Sequence, residues 1–372
     1  MAQLFDPIAL RGLVLPNRVI VSPMCQYSAQ DGNANEWHVA HLSSLSLGGM
    51  GLLCLEATAV TPEGRISPGC LGLWSDENEA AMARLLKVVR AASPVKLAIQ
   101  LGHAGRKASS APPWQGGQLL AESDGGWQPM GPSAVPHKPG EAVPTAMDAG
   151  DLSRVRDAFV ASAQRAIRLG FDAIELHAAH GYLLHQFLSP VSNQRNDEYG
   201  GSLENRMRFP LEVFHAIRAA VPGTIPVGVR VSGTDWLDNE PSWTIEQTVE
   251  LGLRLKESGV DWLDISSGGV SPRQKIPVGP GYQVHLAEAV KKQVGVPTMA
   301  VGLITEPRQA QDIVTAGQAD MVALGRAMLY NPRWVWHAAA ELGAQLEAPP
   351  QYWRSLPSGR NAIFLNTSFG MR

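Results

Sequence analysis

Short apolar runs rich in Val, Ile, Leu and Ala alternate along this chain with longer stretches whose apolar residues return every three or four positions. The short runs read as buried strands and the longer ones as amphipathic helices, each pair closed by Gly, Pro or Asp. Eight such units follow one another, with strands expected at residues 18–22, 52–57, 96–101, 173–177, 226–231, 262–266, 298–301 and 321–324. Eight alternating βα units predict an α/β fold of the (β/α)8 TIM-barrel type. Between the strands, residues 152–169 carry Val155, Phe159, Ala163, Ala166 and Ile167 on one helical face. A further helix is expected over 202–221, with Ser202 as its cap and Pro222 as its stop.

Two segments break the alternation. Residues 5–15 read as a short N-terminal hairpin closing the barrel's bottom. Residues 102–150, rich in Gly, Pro and Ser, are too long for an ordinary βα loop and predict an excursion over the active-site end after the third strand. No solenoid repeat is present. The domain reading is therefore one barrel over 1–356, followed by an extension over 357–372 carrying Phe364, Leu365 and Phe369, which either alters an interface or is disordered.

Composition narrows the partners. With 45% hydrophobic and 17% charged residues and a formal net charge of −3, the chain has no broad basic field for nucleic acid or acidic membranes. No run reaches the roughly 18 apolar residues of a membrane helix, and the first residues lack a signal-peptide pattern, so a cytoplasmic location is expected. Cys25, Cys54 and Cys70 are too few and too scattered for a disulfide framework or a metal cage.

In such a barrel the chemistry lies where strands open into loops at their carboxyl ends. The fourth strand opens into His177-Ala-Ala-His180-Gly-Tyr182, two imidazoles and a phenol suited to polarising a carbonyl oxygen and delivering a proton. Ser266-Ser-Gly268-Gly269, Gly302 and Gly325-Arg326 follow the last three strands, where barrels commonly bind phosphate through loop amides; ordinary tight turns with a surface Arg are the alternative. Three other readings stay open: a zinc hydrolase using His177, His180 and His103, a binding protein that retains the phosphate cradle without turnover, and simple structural histidines.

The stretches Pro23-Met-Cys25-Gln-Tyr27, Glu56-Ala-Thr-Ala59, Gln100-Leu-Gly-His-Ala-Gly-Arg-Lys107, His177 to Tyr182, Ser189-Pro-Val-Ser-Asn193, Asp197-Glu-Tyr-Gly-Gly-Ser202 and Asn205-Arg206 together resemble the old yellow enzyme family, in its thermophilic-like and xenobiotic reductase branch. The resemblance runs from about Leu4 to Arg354. It implies FMN held without a covalent bond, reduced by NADPH or NADH and reoxidised by enones, enals, maleimides or nitroalkenes, with no metal.

It also implies roles. His177 and His180 bind the substrate oxygen, Tyr182 protonates the carbon beside the hydride acceptor, and Tyr27 lines the pocket. Cys25 tunes the flavin. Ser22, Pro23, Met24, Cys25, Ala59, Gln100, His177, Arg230, Gly268, Gly269, Gly302, Gly325 and Arg326 hold the cofactor. Arg230 is expected beside the flavin pyrimidine; a buried ion pair with Glu56 or Glu175 is its alternative reading. Trp353 or Arg354, in the closing Gln351-Tyr-Trp-Arg354 motif, is expected to enter a neighbouring subunit's site in a homodimer or homotetramer, or else to pack on its own barrel. The larger dienoyl-thioester reductase relatives carry a cysteine cluster and a second dinucleotide domain, for which this chain has no room.

Overall fold

A computed structural model describes residues 2–356 and 363–368. Its centre is a closed barrel of eight parallel strands: Val19–Val21 (β1), Leu52–Ala59 (β2), Lys96–Gly102 (β3), Ala173–Ala178 (β4), Val227–Ser232 (β5), Trp262–Ser266 (β6), Thr298–Val301 (β7) and Met321–Leu324 (β8). The ring closes where β8 pairs with β1, Val322 opposite Val19 and Leu324 opposite Val21. Strands covered on both faces are largely apolar, and β5, β6 and β8 are buried at every position, with Arg230 on β5 and Asp264 on β6 as charged exceptions.

Helices Glu36–Ser46 (α1), Asp76–Ala92 (α2), Ala149–Arg168 (α3), Leu203–Ala220 (α4), Ile245–Glu257 (α5), Val284–Val294 (α6), Pro307–Thr315 (α7) and Trp334–Leu342 (α8) return the chain from each strand. Helix α3 starts three residues ahead of the periodic pattern because Asp148 caps it, accepting from Asp151 N while Asp151 reaches back. Helix α4 begins after Ser202, whose Oγ accepts from Asn205 N at 3.2 Å, as its cap position predicts.

The barrel's bottom is plugged by the antiparallel hairpin Ile8–Leu10 and Leu13–Leu15. Its Leu10, Leu13 and Leu15 pack with Ile20, Leu52, Ala98, Trp262, Met299 and Met321 into an inner cluster. Trp262 fits there because Gly228, its register partner on β5, has no side chain; a Cβ at that glycine would fall 1.9 Å from the indole. A second, larger cluster lies between strands and helices.

After β3 the chain makes short 3-10 turns at Gly105–Lys107, Pro113–Gln115 and Glu122–Asp124, then pairs Met130–Gly131 with Thr145–Ala146 before α3. Towards the C-terminus, Leu346 bridges Phe364, which is buried and packs on Trp336 with ring centres 5.0 Å apart. That part of the 357–372 extension docks on the barrel's flank; Phe369 lies outside the described residues. Among the described residues no helix is long and apolar enough to cross a membrane.

Candidate active site

The left-handed turn after β4 organises the top of the barrel. His180 has φ 59° and Gly181 φ 71°, a conformation that costs a β-carbon-bearing residue free energy. It is held from several sides: His180 N donates to Ser232 Oγ at 2.9 Å, and Gly181 N donates to His185 Nδ1 at 2.8 Å. His185 and Asp235 are fully buried, with Nε2 and Oδ1 3.0 Å apart. Asp235 Oδ2 accepts from Ser189 Oγ and from Trp243 N at 2.6 and 2.8 Å.

This turn stacks three rings. His177 meets His180 and Tyr182 edge to face, with ring centres 5.1 and 5.0 Å apart. His177 Nδ1 accepts from Ala179 N at 3.2 Å, which leaves its proton on Nε2, 3.3 Å from His180 Nδ1. The proton of His180 is therefore on Nε2, donated to Ser266 Oγ at 2.6 Å. Burial and the nearby Arg230 cation hold both imidazoles well below their ordinary range, so both are neutral at neutral pH. Burial, with Cys25, Tyr27 and Cys70 alongside, pushes the Tyr182 phenol well above its ordinary value.

Beneath these rings lies a buried charge network. Arg230 pairs with Asp264, its register partner on β6, at 3.1 Å, and not with Glu56 or Glu175, the two carboxylates that the sequence offered. Glu175, one strand away, accepts from Gln100 Nε2 at 2.8 Å and from Trp262 Nε1 at 3.2 Å. Burial, then Asp264, pushes its carboxyl up to about 7. Glu56 is elsewhere because a register shift between Leu55 and Ala57 turns it towards the β1 loop, where it accepts from Gln26 N at 3.0 Å.

The β1 loop carries Ser22, Pro23, Met24, Cys25 and Tyr27 across the barrel mouth. Cys25 is partly exposed and has Cys70 as a close neighbour, a partner not expected from the sequence; that neighbour, then burial, raises its thiol. Tyr27, at φ 52°, meets Trp114 of the excursion edge to face at 5.6 Å. Ala59 ends β2, near His103, His177 and Tyr182 around one small cavity.

The late glycines divide into two groups. Gly268 and Gly269, at φ 67° and 95°, form the loop that backs the His180 turn; a Cβ on Gly269 would lie 2.3 Å from the His180 carbonyl. Gly302, at φ 123°, faces Tyr282 and Gln283, while Gly325 abuts Met24 and precedes exposed Arg326 at the start of a short helix. Gln283, absent from the sequence expectations, is buried and bonds Ser266, Ser267 and Val301. Trp353 donates to Ala348 O of its own chain at 3.0 Å, and Arg354 is exposed.

The donor set fits FMN. Arg230 Nε and Asp264 Oδ1 are buried without an aligned hydrogen-bond partner, a donor beside an acceptor, which matches the mixed donors and acceptors of a flavin pyrimidine edge. No three His, Cys, Asp or Glu residues are arranged to hold a metal among the described residues, and His103 Nδ1 is already occupied by Gly105 N at 3.0 Å.

Comparison with known proteins agrees with this donor set. Residues 3–345 match the family described as NADH:flavin oxidoreductase / NADH oxidase. An NADH:flavin oxidoreductase of Gibberella zeae is 46% identical over 96% of this chain and 91% of its own length. An NADPH dehydrogenase of Geobacillus thermodenitrificans is 45% identical over 94% of this chain and 98% of its own. Among solved structures, morphinone reductase in complex with tetrahydroNAD superposes with a TM-score of 0.74 at 28% identity, covering 94% of this chain and 93% of that one. The chain belongs to the NADH:flavin oxidoreductase / NADH oxidase family, the old yellow enzymes, and is an FMN oxidoreductase that draws its electrons from a reduced nicotinamide.

Proposed function

We propose that this enzyme reduces the activated C=C bond of α,β-unsaturated carbonyl or nitro compounds, the enones, enals, maleimides and nitroalkenes, with Tyr182 supplying the proton. The observation that carries the reading is the ring cluster itself: the neutral imidazole of His177, at the end of its strand, lies within 5.1 Å of both the neutral His180 imidazole and the Tyr182 phenol on the turn that follows. When bound, the flavin supplies a two-electron carrier between nicotinamide, NADPH or NADH, and alkene.

A substrate oxygen entering between His177 and His180 competes for the Nε2 protons that now go to His180 and Ser266. Because burial keeps both rings neutral, each donates without becoming the proton source. The oxygen draws electron density from the β-carbon, which opens that carbon to hydride. Tyr182, a separate O–H acid, then protonates the adjacent carbon. Arg230 and Gln100 hold the pyrimidine edge; Gly302, Gly325 and Arg326 take the phosphate; Ser22, Pro23, Met24, Cys25 and Ala59 frame the ring. Gly268 and Gly269 shape the pocket from behind His180, and Tyr27 with Trp114 closes its outer side.

We place Arg354 rather than Trp353 at a neighbouring subunit's site in a homodimer or homotetramer. Arg354 is exposed, whereas Trp353 is half-buried, which supports this choice.

Tyr182→Phe tests the central reading. Under anaerobic stopped flow, bleaching by NADPH should keep its wild-type rate, whereas recolouring by 2-cyclohexenone should slow by about 10²–10⁴-fold. Unchanged recolouring overturns the assignment.

A further inference from the structure

The 3-10 turn Gly105–Lys107, just after β3, sends two adjacent cations towards the top of the barrel. Arg106 donates to the carbonyls of Val135, Pro136 and Val270 at 3.1, 3.3 and 2.7 Å, fastening the excursion to the β6 loop. Lys107 is placed differently. Its Nζ donates to His180 O at 2.8 Å and Gly269 O at 3.0 Å, and lies 4.9 Å from the centre of the Tyr182 ring.

Both carbonyls belong to residues in the left-handed region, His180 at φ 59° and Gly269 at φ 95°. A turn of that kind persists only where its surroundings over-determine it. The ammonium is one of those determinants, because it bonds the two opposed loops at once. A cation against an aromatic face also favours negative charge on that ring.

We propose that Lys107 is a positioning residue for proton transfer: its ammonium ties the His180 turn to the Gly269 loop and stands as counter-charge to Tyr182 as that phenol gives up its proton. This rests on Tyr182 being the proton donor. In the step concerned, hydride arrives at the β-carbon and forms a C–H bond, and the alkene π pair moves towards the carbonyl. The Tyr182 O–H bond breaks, its proton joins the α-carbon, and the phenolate regains a proton from water. Lys107 faces that phenolate while it lasts.

The charged and titratable groups around Lys107 fix when it is a cation. Arg106 and Lys138 oppose its charge, Glu141 favours it, and His137, His177 and His180 face it with their own pKa values lowered. Burial, then Arg106 and Lys138, brings its ammonium down to about 8. Alkene reduction should therefore lose this assistance above about pH 8, while flavin reduction by nicotinamide, which takes no proton from Tyr182, should not.

The test uses the FMN-loaded enzyme, Lys107→Met and Lys107→Arg, with the two half-reactions followed separately by stopped flow from pH 6 to 10. Expected for Lys107→Met is a roughly ten- to thirty-fold slower recolouring by 2-cyclohexenone at pH 7, with NADPH bleaching unchanged and the fall near pH 8 gone. Lys107→Arg, charged across the range, should recover part of the rate and also lack that fall. A Lys107→Met enzyme that recolours at the wild-type rate overturns the proposal, and so does either variant that keeps the fall near pH 8. If Lys107→Met does not fold, Lys107→Arg decides alone by the same criterion. Wild-type enzyme that bleaches but is never recoloured by the enone instead overturns the alkene-reductase reading itself.

Discussion

Arg230 and Asp264 stand opposite each other on β5 and β6, guanidinium Nε 3.1 Å from carboxylate Oδ2, with their side chains 7% and 1% exposed. Breaking such a buried pair by removing one member leaves an uncompensated charge. Arg230→Leu should cost about 3–5 kcal/mol of unfolding free energy, measured by urea denaturation at pH 7. The loss should be smaller at pH 5, because Glu175, pushed up to about 7, then keeps its proton, and burial moves Asp264 in the same direction.

Glu175 itself predicts a pH dependence. Its carboxyl is pushed from an ordinary 4.5 up to about 7, chiefly by burial and next by Asp264. Between those values the folded protein holds a proton that the unfolded chain has released, so stability falls as pH rises through the window and levels off above it. Glu175→Gln removes this slope while keeping an acceptor for Gln100 and Trp262. Urea midpoints of wild type minus variant should fall from pH 5 to pH 7; a constant difference contradicts the assignment.

The His185–Asp235 pair supports the catalytic turn from below, through the Gly181 N to His185 Nδ1 bond of 2.8 Å. Asp235→Ala strands His185, Ser189 and the Trp243 amide at once and should cost about 3–5 kcal/mol. Asp235→Asn retains acceptor oxygen for part of that set and should cost less. Thermal unfolding of the two variants, read beside FMN content, distinguishes them.

Gly269→Ala places a β-carbon 2.3 Å from the His180 carbonyl at a φ of 95°. Strain of about 1–3 kcal/mol is expected, relieved by displacing the His180 turn. Alkene reduction should therefore drop further than thermal stability does. Equal wild-type turnover would show that the turn tolerates the shift.

Much of the barrel was legible in the chain, and for a physical reason. Strands buried on both faces must be short apolar runs, so Thr298–Val301 and Met321–Leu324 lie where their hydrophobicity put them. Ser202 was legible because capping is local. Ser202→Ala should cost about 1 kcal/mol.

What stayed hidden was mostly non-local. Asp264 becomes the partner of Arg230 only through the register of β5 on β6, and Glu56 is withdrawn by a bulge. The Cys25–Cys70 contact and the reach of Lys107 to His180 likewise depend on loops meeting across the barrel mouth. The rings of His177, His180 and Tyr182 were legible as a cluster because six residues carry them all, but their proton order needed the Ala179 amide and Ser266 hydroxyl.

The β8 to β1 seam has a kinetic consequence. Val19 waits for Val322, about three hundred residues later, before its second edge is covered. Ribosomal synthesis delivers the first strand long before its last neighbour, so an exposed, hydrogen-bond-hungry ribbon persists through most of translation. Contacts so distant along the chain slow folding. The rate at which this protein matures should be set by ring closure, and truncations that remove Met321–Leu324 should leave a soluble-looking precursor prone to pairing with other chains.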